Sequence, residues 1–131
     1  MADQKIYMQE GLARAICDVD RTCLAAGVFA VSQDAIVITD ARRNIIDVNP
    51  AFTRITGHSR EDAIGKTPAL LKSGRHGPGF YAEMYSTLKT DGAWRGEIWN
   101  QRKCGEVYPA MLGINAVCDE AANIRHYVAM M

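Results

Sequence analysis

The chain has no surplus of charge: its 131 residues carry 15 Lys and Arg against 15 Asp and Glu, a formal net charge of zero. Without a basic stripe, nucleic acid is a poor partner, because phosphate binding needs clustered cations. No apolar run approaches the roughly 18 residues of a membrane span, and the N-terminus lacks a signal-peptide core. No membrane partner is therefore expected. Cysteine is scarce, and Cys17, Cys23, Cys104 and Cys118 form neither a C-x-x-C pair nor a zinc spacing. That pattern fits a cytoplasmic protein with reduced thiols. Catalytic constellations are missing too. Paired carboxylates, Ser/His/Asp arrangements and metal spacings are absent, and Gly74-x-x-Gly77-x-Gly79 is neither a Walker loop nor a dinucleotide fingerprint. The expectation is a protein that is not an enzyme.

What is present is a 48% apolar chain without repeats or low-complexity tracts, enough for one domain with one core. Residues 3–26 hold no Pro and one Gly, and Leu12, Ile16, Val19 and Cys23 recur at spacings of 4, 3 and 4. This predicts a helix with one buried stripe. The stripe is either a short dimer seam or the face by which the helix packs on its own domain.

Two short apolar strands follow, Ala35–Thr39 and Ile45–Val48, joined by the polar turn Asp40-Ala41-Arg42-Arg43-Asn44. Asn49 caps a helix with Pro50 in its first turn, Phe52, Ile55 and Thr56 face inward, and Gly57 ends it. Ser59 caps a second short helix with Asp62 as its capping-box partner; Ala63 and Ile64 pack and Gly65 stops it. Lys66–Phe80 reads as loop with one apolar turn, and Tyr81, Met84, Tyr85 and Leu88 form a helical stripe ending near Gly92. From Trp94 the period becomes two, placing Trp94, Gly96, Ile98 and Asn100 on one strand face and Arg95, Glu97, Trp99 and Gln101 on the other. Val107–Val117 returns after a turn at Lys103–Glu106, and Ile124–Met131 is the last strand. The fold class is α+β: a five-stranded antiparallel sheet with helices on one face. A core of Ile36, Ile38, Val48, Phe52, Ile55, Leu70, Phe80, Leu88, Ile98, Leu112, Ile114 and Val128 is expected.

Five strings in this order carry a family resemblance: ITD, VNPAFTRITGHSREDAIGK, WRGE, NQRKCGEVYP and HYVAM. Together they resemble the PAS sensor domain over about Val31 to Met131. The division is then an N-terminal helix, residues 1–28, for dimerisation or linkage, and a PAS domain, residues 29–131. The chain is similar to bacterial PAS modules of diguanylate cyclases, phosphodiesterases and sensor kinases such as histidine kinases. LLKSGRHGPGFYAEMYSTL followed by WRGEIWNQRK also resembles the FAD-binding PAS domains of redox regulators of nitrogen fixation and methane oxidation.

The resemblance implies a cavity between the sheet and the Lys66–Gly79 segment, lined by Asn100, Trp94, Ile98, Leu112 and Met84. FAD is the leading cofactor. An amide at position 100 offers a ring edge both a donor and an acceptor, although Asn100 could equally satisfy local backbone. Trp94 either approaches the cofactor or closes the core, and Trp99 on the outer face needs cover, which favours an interface. Lys72, Arg75 and His76 are placed to reach a phosphate tail. Haem is a remoter option, with His76 the candidate axial ligand and His58 a poorer one.

Departures from the relatives also count. PALLKSGR stands where photoactive flavin modules carry their NCRFL-type motif, so no thiol adduct can form. Their second Asn corresponds to Ala110 and their final-strand Gln to Met131. Two functions follow as expectations: a ligand- or redox-sensing input module, or a module that binds no cofactor and works by self-association. In either, the N-terminal helix and the outer sheet face pair two copies, and a C-terminal output domain receives the signal. The chain ends where such a core ends, as an excised input domain would.

Overall fold

The computed structural model describes residues 21–131. Residues 21–31 are helical; Leu12, Ile16 and Val19 of the expected stripe lie outside the described residues. A separate compact unit, Ser32–Met131, holds everything that follows. Among the described residues no helix is long and apolar enough to cross a membrane.

The compact unit runs β1 (Ile36–Asp40), β2 (Ile45–Val48), α1 (Pro50–Thr56), α2 (Arg60–Ala63), a 3-10 turn (Pro68–Leu71), α3 (Pro78–Asp91), β3 (Ala93–Gln101), β4 (Val107–Cys118) and β5 (Ile124–Met130). All strand pairs are antiparallel, in the order β2-β1-β5-β4-β3. The expected five-stranded sheet with helices is therefore what forms. Placing the last strand between the first and the fourth brings residues remote in sequence onto one inner surface. The register sets Val37 opposite Ala129, Ala129 opposite Ile114 and Ile114 opposite Trp94, with Thr39, Tyr127 and Ala116 in the next row.

Local chemistry fixes the helix ends. Asn49 Oδ1 accepts from the Phe52 N–H at 3.1 Å while Pro50 takes the first turn, and Gly57 closes α1 in the left-handed region at φ 80°. Ser59 and Asp62 complete a reciprocal capping box. The Lys103 ammonium, 2.8 Å from Asp62, followed by the Ser59 N–H, draws this carboxyl from its ordinary 3.8 to about 2. This pair ties α2 to the β3–β4 turn. Ile64 does not pack as expected: it follows the last turn of α2 and is exposed.

Two clusters fill the interior in place of one core. Ala35, Val37, Ile45, Val48, Phe52, Ala63 and Leu71 form the first. Met84, Leu88, Ile98, Leu112, Ile114 and Tyr127 form the second. Ala129 and Met131 pack against both. Ile55, Leu70 and Phe80 are half-buried at the margins. Ile38 and Val128 belong to neither cluster. They pair with each other across β1 and β5, while their neighbours Val37, Thr39, Tyr127 and Ala129 take the inner face. β1 is apolar at Ile36, Val37 and Ile38 alike, so its sequence shows no alternation from which to read the phase.

Candidate functional site

The space between the two clusters is a cavity of about 700 Å³, within the range that encloses a small organic ligand. Its floor is the inner sheet face: Val37 and Thr39 of β1, Ile98 and Asn100 of β3, Leu112 and Ile114 of β4, and Tyr127 and Ala129 of β5. Its walls are α3, through Tyr81, Met84 and Tyr85, and the segment Thr67–Lys72.

Asn100 is the unusual group. Its residue is 3% exposed and sits at the end of β3 among apolar neighbours. Its Nδ2 donates to the Met131 sulfur at 3.3 Å. A thioether is a weak acceptor, so the Asn100 N–H group is weakly held in a place where unpaired polar atoms are costly. Across the strand pair stands Tyr108, whose buried hydroxyl has no hydrogen-bond partner. Burial pushes its phenol up from the ordinary 10.0, with Arg102 and Asn100 acting the other way. The expected role of Asn100 in satisfying local backbone is not what the structure shows. On α3, burial likewise raises the phenols of Tyr81 and Tyr85, the latter opposed by the guanidinium of Arg43 stacked 3.7 Å from its ring.

Five of the residues singled out in the sequence meet in this cavity: Asn100, Ile98, Leu112, Met84 and Lys72. Three do not line it. Trp94 lies on the expected face but folds back along its own strand over Gly96. A Cβ added at Gly96 would fall 2.9 Å from the indole, so the Trp-x-Gly spacing leaves room for the ring. Trp94 meets Phe80 edge to face at 5.8 Å, closing the core beyond the cavity.

Arg75 and His76 are held at the sheet edge. β3 is an edge strand, and Trp99 pairs with Pro109, so the Trp99 backbone groups point away from β4. His76 Nε2 accepts the Trp99 N–H at 2.9 Å and the Ser73 hydroxyl donates to the Trp99 carbonyl at 2.7 Å. The edge is thereby sealed. The imidazole stacks on Phe80 at 4.0 Å and the Arg75 guanidinium covers the Trp99 ring at 4.1 Å. Trp99 thus finds its cover within its own unit. This geometry removes the case for His76 as a haem ligand, since the nitrogen that iron would use holds backbone. His58 does not line the cavity either. No cluster of metal-ligating side chains occurs among the described residues. Cys23, Cys104 and Cys118 are exposed, and neither Cys104 nor Cys118 lines the cavity.

The sequence reading missed Thr39, Arg42, Arg43, Tyr81, Tyr85, Lys89 and Tyr127 as cavity residues. Tyr81 and Tyr85 lay in plain view in the α3 stripe, but as core. The arginines sit in a turn that only the strand order brings over α3.

A PAS domain family model matches residues 33–131. Over 96 residues the chain is 42% identical to the nitrogen fixation regulatory protein of Klebsiella oxytoca, covering 73% of this chain and 19% of that protein. It is 27% identical over 111 residues to a blue-light-activated histidine kinase of Rhizobium johnstonii, covering 82% of this chain and 32% of the kinase. The crystal structure of a PAS domain from Colwellia psychrerythraea superimposes with a TM-score of 0.78 at 27% identity, covering 83% of this chain and 92% of that one. The chain spans less than a third of these two curated regulators. The sensory module of a larger bacterial signalling protein is the type of unit it matches. The matched region holds all five strands and the helices between them, and the chain belongs to the PAS domain family.

Proposed function

We propose that this domain is a sensory input module that holds a flavin, FAD first among them, in the inter-cluster cavity and passes a change in that ligand to an output domain. The observation that carries this reading is Asn100, a buried amide that faces a cavity and whose N–H group has a thioether sulfur as acceptor. A heteroaromatic ring edge with alternating donors and acceptors would satisfy both ends of the amide. Apolar Ile98, Leu112 and Met84 would pack on the ring. Two similar proteins carry names consistent with this: a blue-light-activated kinase needs a chromophore, and a nitrogen fixation regulator needs an input to respond to. Thiol-adduct photochemistry has no support here, since no described cysteine reaches the cavity. In this reading the domain is a receptor and not an enzyme. Ligand state biases the balance between two arrangements of the module, and the output domain reads that balance.

The experiment is a visible spectrum of the purified protein, followed by titration of ligand-stripped protein with FAD. A yellow protein, or saturable FAD uptake, is expected. Asn100→Ala should weaken FAD retention by roughly 1–3 kcal/mol, the cost of leaving polar partners unpaired. Equal retention in the two proteins would make Asn100 structural. A colourless wild type that takes up no flavin would refute the flavin reading.

A second reading, a ligand-free module that acts by self-association, is favoured by a different observation. Met111, Val117 and Met130 leave apolar side chains exposed on the sheet, and Leu24, Val28 and Val31 do so in residues 21–31. Exposed apolar side chains of this size favour covering by a second copy. Light scattering is expected to report a dimer mass that falls to the monomer with Met111→Lys. A wild type already monomeric at hundreds of micromolar would remove this reading.

A further inference from the structure

The chain is electrically neutral overall, yet its cavity is not. Four cationic residues line it, Arg42, Arg43, Lys72 and Lys89, and no Asp or Glu does so among the described residues. None of the four takes part in the ion pairs of the described residues, which join Arg60 to Asp47, Arg102 to Glu106, Lys103 to Asp62 and Arg125 to Asp119. The nearest carboxylate in sequence, Asp40, is turned into its own loop. It accepts the Arg42 and Asn44 N–H groups at 2.9 Å each and the Asn44 amide at 3.2 Å. Three of the cations gather at one mouth: Arg42 and Arg43 from the β1–β2 turn, and Lys89 from α3 one turn beyond Tyr85.

Arg43 is built into this position. It adopts φ 71°, a left-handed conformation that is unusual for a residue with a Cβ. Its N–H is held by the Asp40 carbonyl at 3.0 Å, and its guanidinium lies over the Tyr85 ring. The Tyr85 side chain engages part of this group, and a guanidinium has five N–H donors at its edge, enough to meet an anion as well. This mouth is remote from Asn100. Met131, which touches Asn100, and Tyr127, which pairs with Thr39 beside the turn, stand four residues apart along one extended segment, or about 13 Å at strand rise.

We propose that Arg42, Arg43 and Lys89 bind the anionic, phosphate-bearing tail of the ligand whose ring meets Asn100. The proposal rests on the ligand-sensor reading and adds direction to it. The tail leaves between the β1–β2 turn and α3, not past Arg75 and His76, whose side chains are committed to the β3 edge. A long ligand with a polar ring at one end and phosphate at the other fits both stations; a neutral ring alone leaves the cations unused.

The test titrates riboflavin, FMN and FAD into ligand-stripped wild type and Arg43→Gln/Lys89→Gln, read by flavin fluorescence. Wild type should hold FMN or FAD at least tenfold more tightly than riboflavin. The double variant should lose that preference while riboflavin affinity stays unchanged. Should Arg43→Gln unfold the protein, Arg42→Gln/Lys89→Gln replaces it, since both side chains are exposed. A phosphate preference absent from wild type, or intact in the variant, overturns the proposal. If wild type binds none of the three flavins, the flavin reading fails by itself, and inorganic pyrophosphate then decides the mouth. Saturable amide shifts at Arg43 and Lys89 that vanish in the double variant uphold it. No shift, or a shift that persists in the variant, overturns it.

Discussion

Phe52→Ala is expected to lower folding stability by about 3–5 kcal/mol, the range for removing a fully buried aromatic side chain. Phe52 has no exposed surface and lies in the cluster of Ala35, Val37, Ile45, Val48, Ala63 and Leu71. Small neighbours at positions 35 and 63 cannot swing in to fill the void, so most of the cavity would persist. The thermal midpoint should fall by well over 10 °C, taking about 4 °C or more per kcal/mol for a domain of this size. Ile46→Ala is the control, because Ile46 on the same hairpin is 44% exposed and should cost no more than about 0.5 kcal/mol. A loss below about 1 kcal/mol at Phe52 would show that this cluster does not carry the fold. The same cluster bounds the cavity through Val37 and Leu71, so Phe52→Ala should also loosen retention of the flavin proposed to sit there.

Asn49→Ala is expected to cost about 3 kcal/mol or more, well above the roughly 1 kcal/mol typical of an N-cap. The excess has a structural source. Besides capping α1, Asn49 Oδ1 accepts the Ile36 N–H at 2.9 Å, and Nδ2 donates to the Asp34 carbonyl at 2.9 Å. The residue is 1% exposed, so alanine would strand a buried donor and a carbonyl, each worth about 1–3 kcal/mol when left unpaired. Asn49→Asp separates the parts: it keeps an acceptor for the Ile36 and Phe52 N–H groups but sets a carboxylate against the Asp34 carbonyl. Denaturant unfolding at constant slope should rank wild type, Asp and Ala in that order or place Asp level with Ala. If Ala lost only about 1 kcal/mol, Asn49 would be a helix cap and nothing more.

Several parts of this protein were legible in the sequence because their causes are local. Asn49-Pro50 and Gly57 set the ends of α1, Ser59 and Asp62 those of α2, and Gly92 the end of α3, since a cap or a left-handed residue acts within a few positions. The alternation from Trp94 to Gln101 placed Ile98 and Asn100 on the inner face, as a period of two requires. The five ordered strings identified the family.

What the sequence could not decide depended on chain segments meeting from afar. Ile36–Asp40 has apolar residues on both faces, and only pairing with β5 turned Val37 inward and Ile38 outward. His76 and Arg75 looked available for a phosphate. Whether a polar loop residue binds a ligand or seals a strand edge depends on which edge lies beside it, here the outer backbone of Trp99, 23 residues away for His76. Arg42 and Arg43 read as ordinary turn residues until the strand order set their turn over Tyr85 and Lys89. Caps and periodicity are written in short stretches of sequence. A cavity's polarity is the sum of side chains from four strands, a helix and the turns between them, and the tertiary structure alone performs that sum.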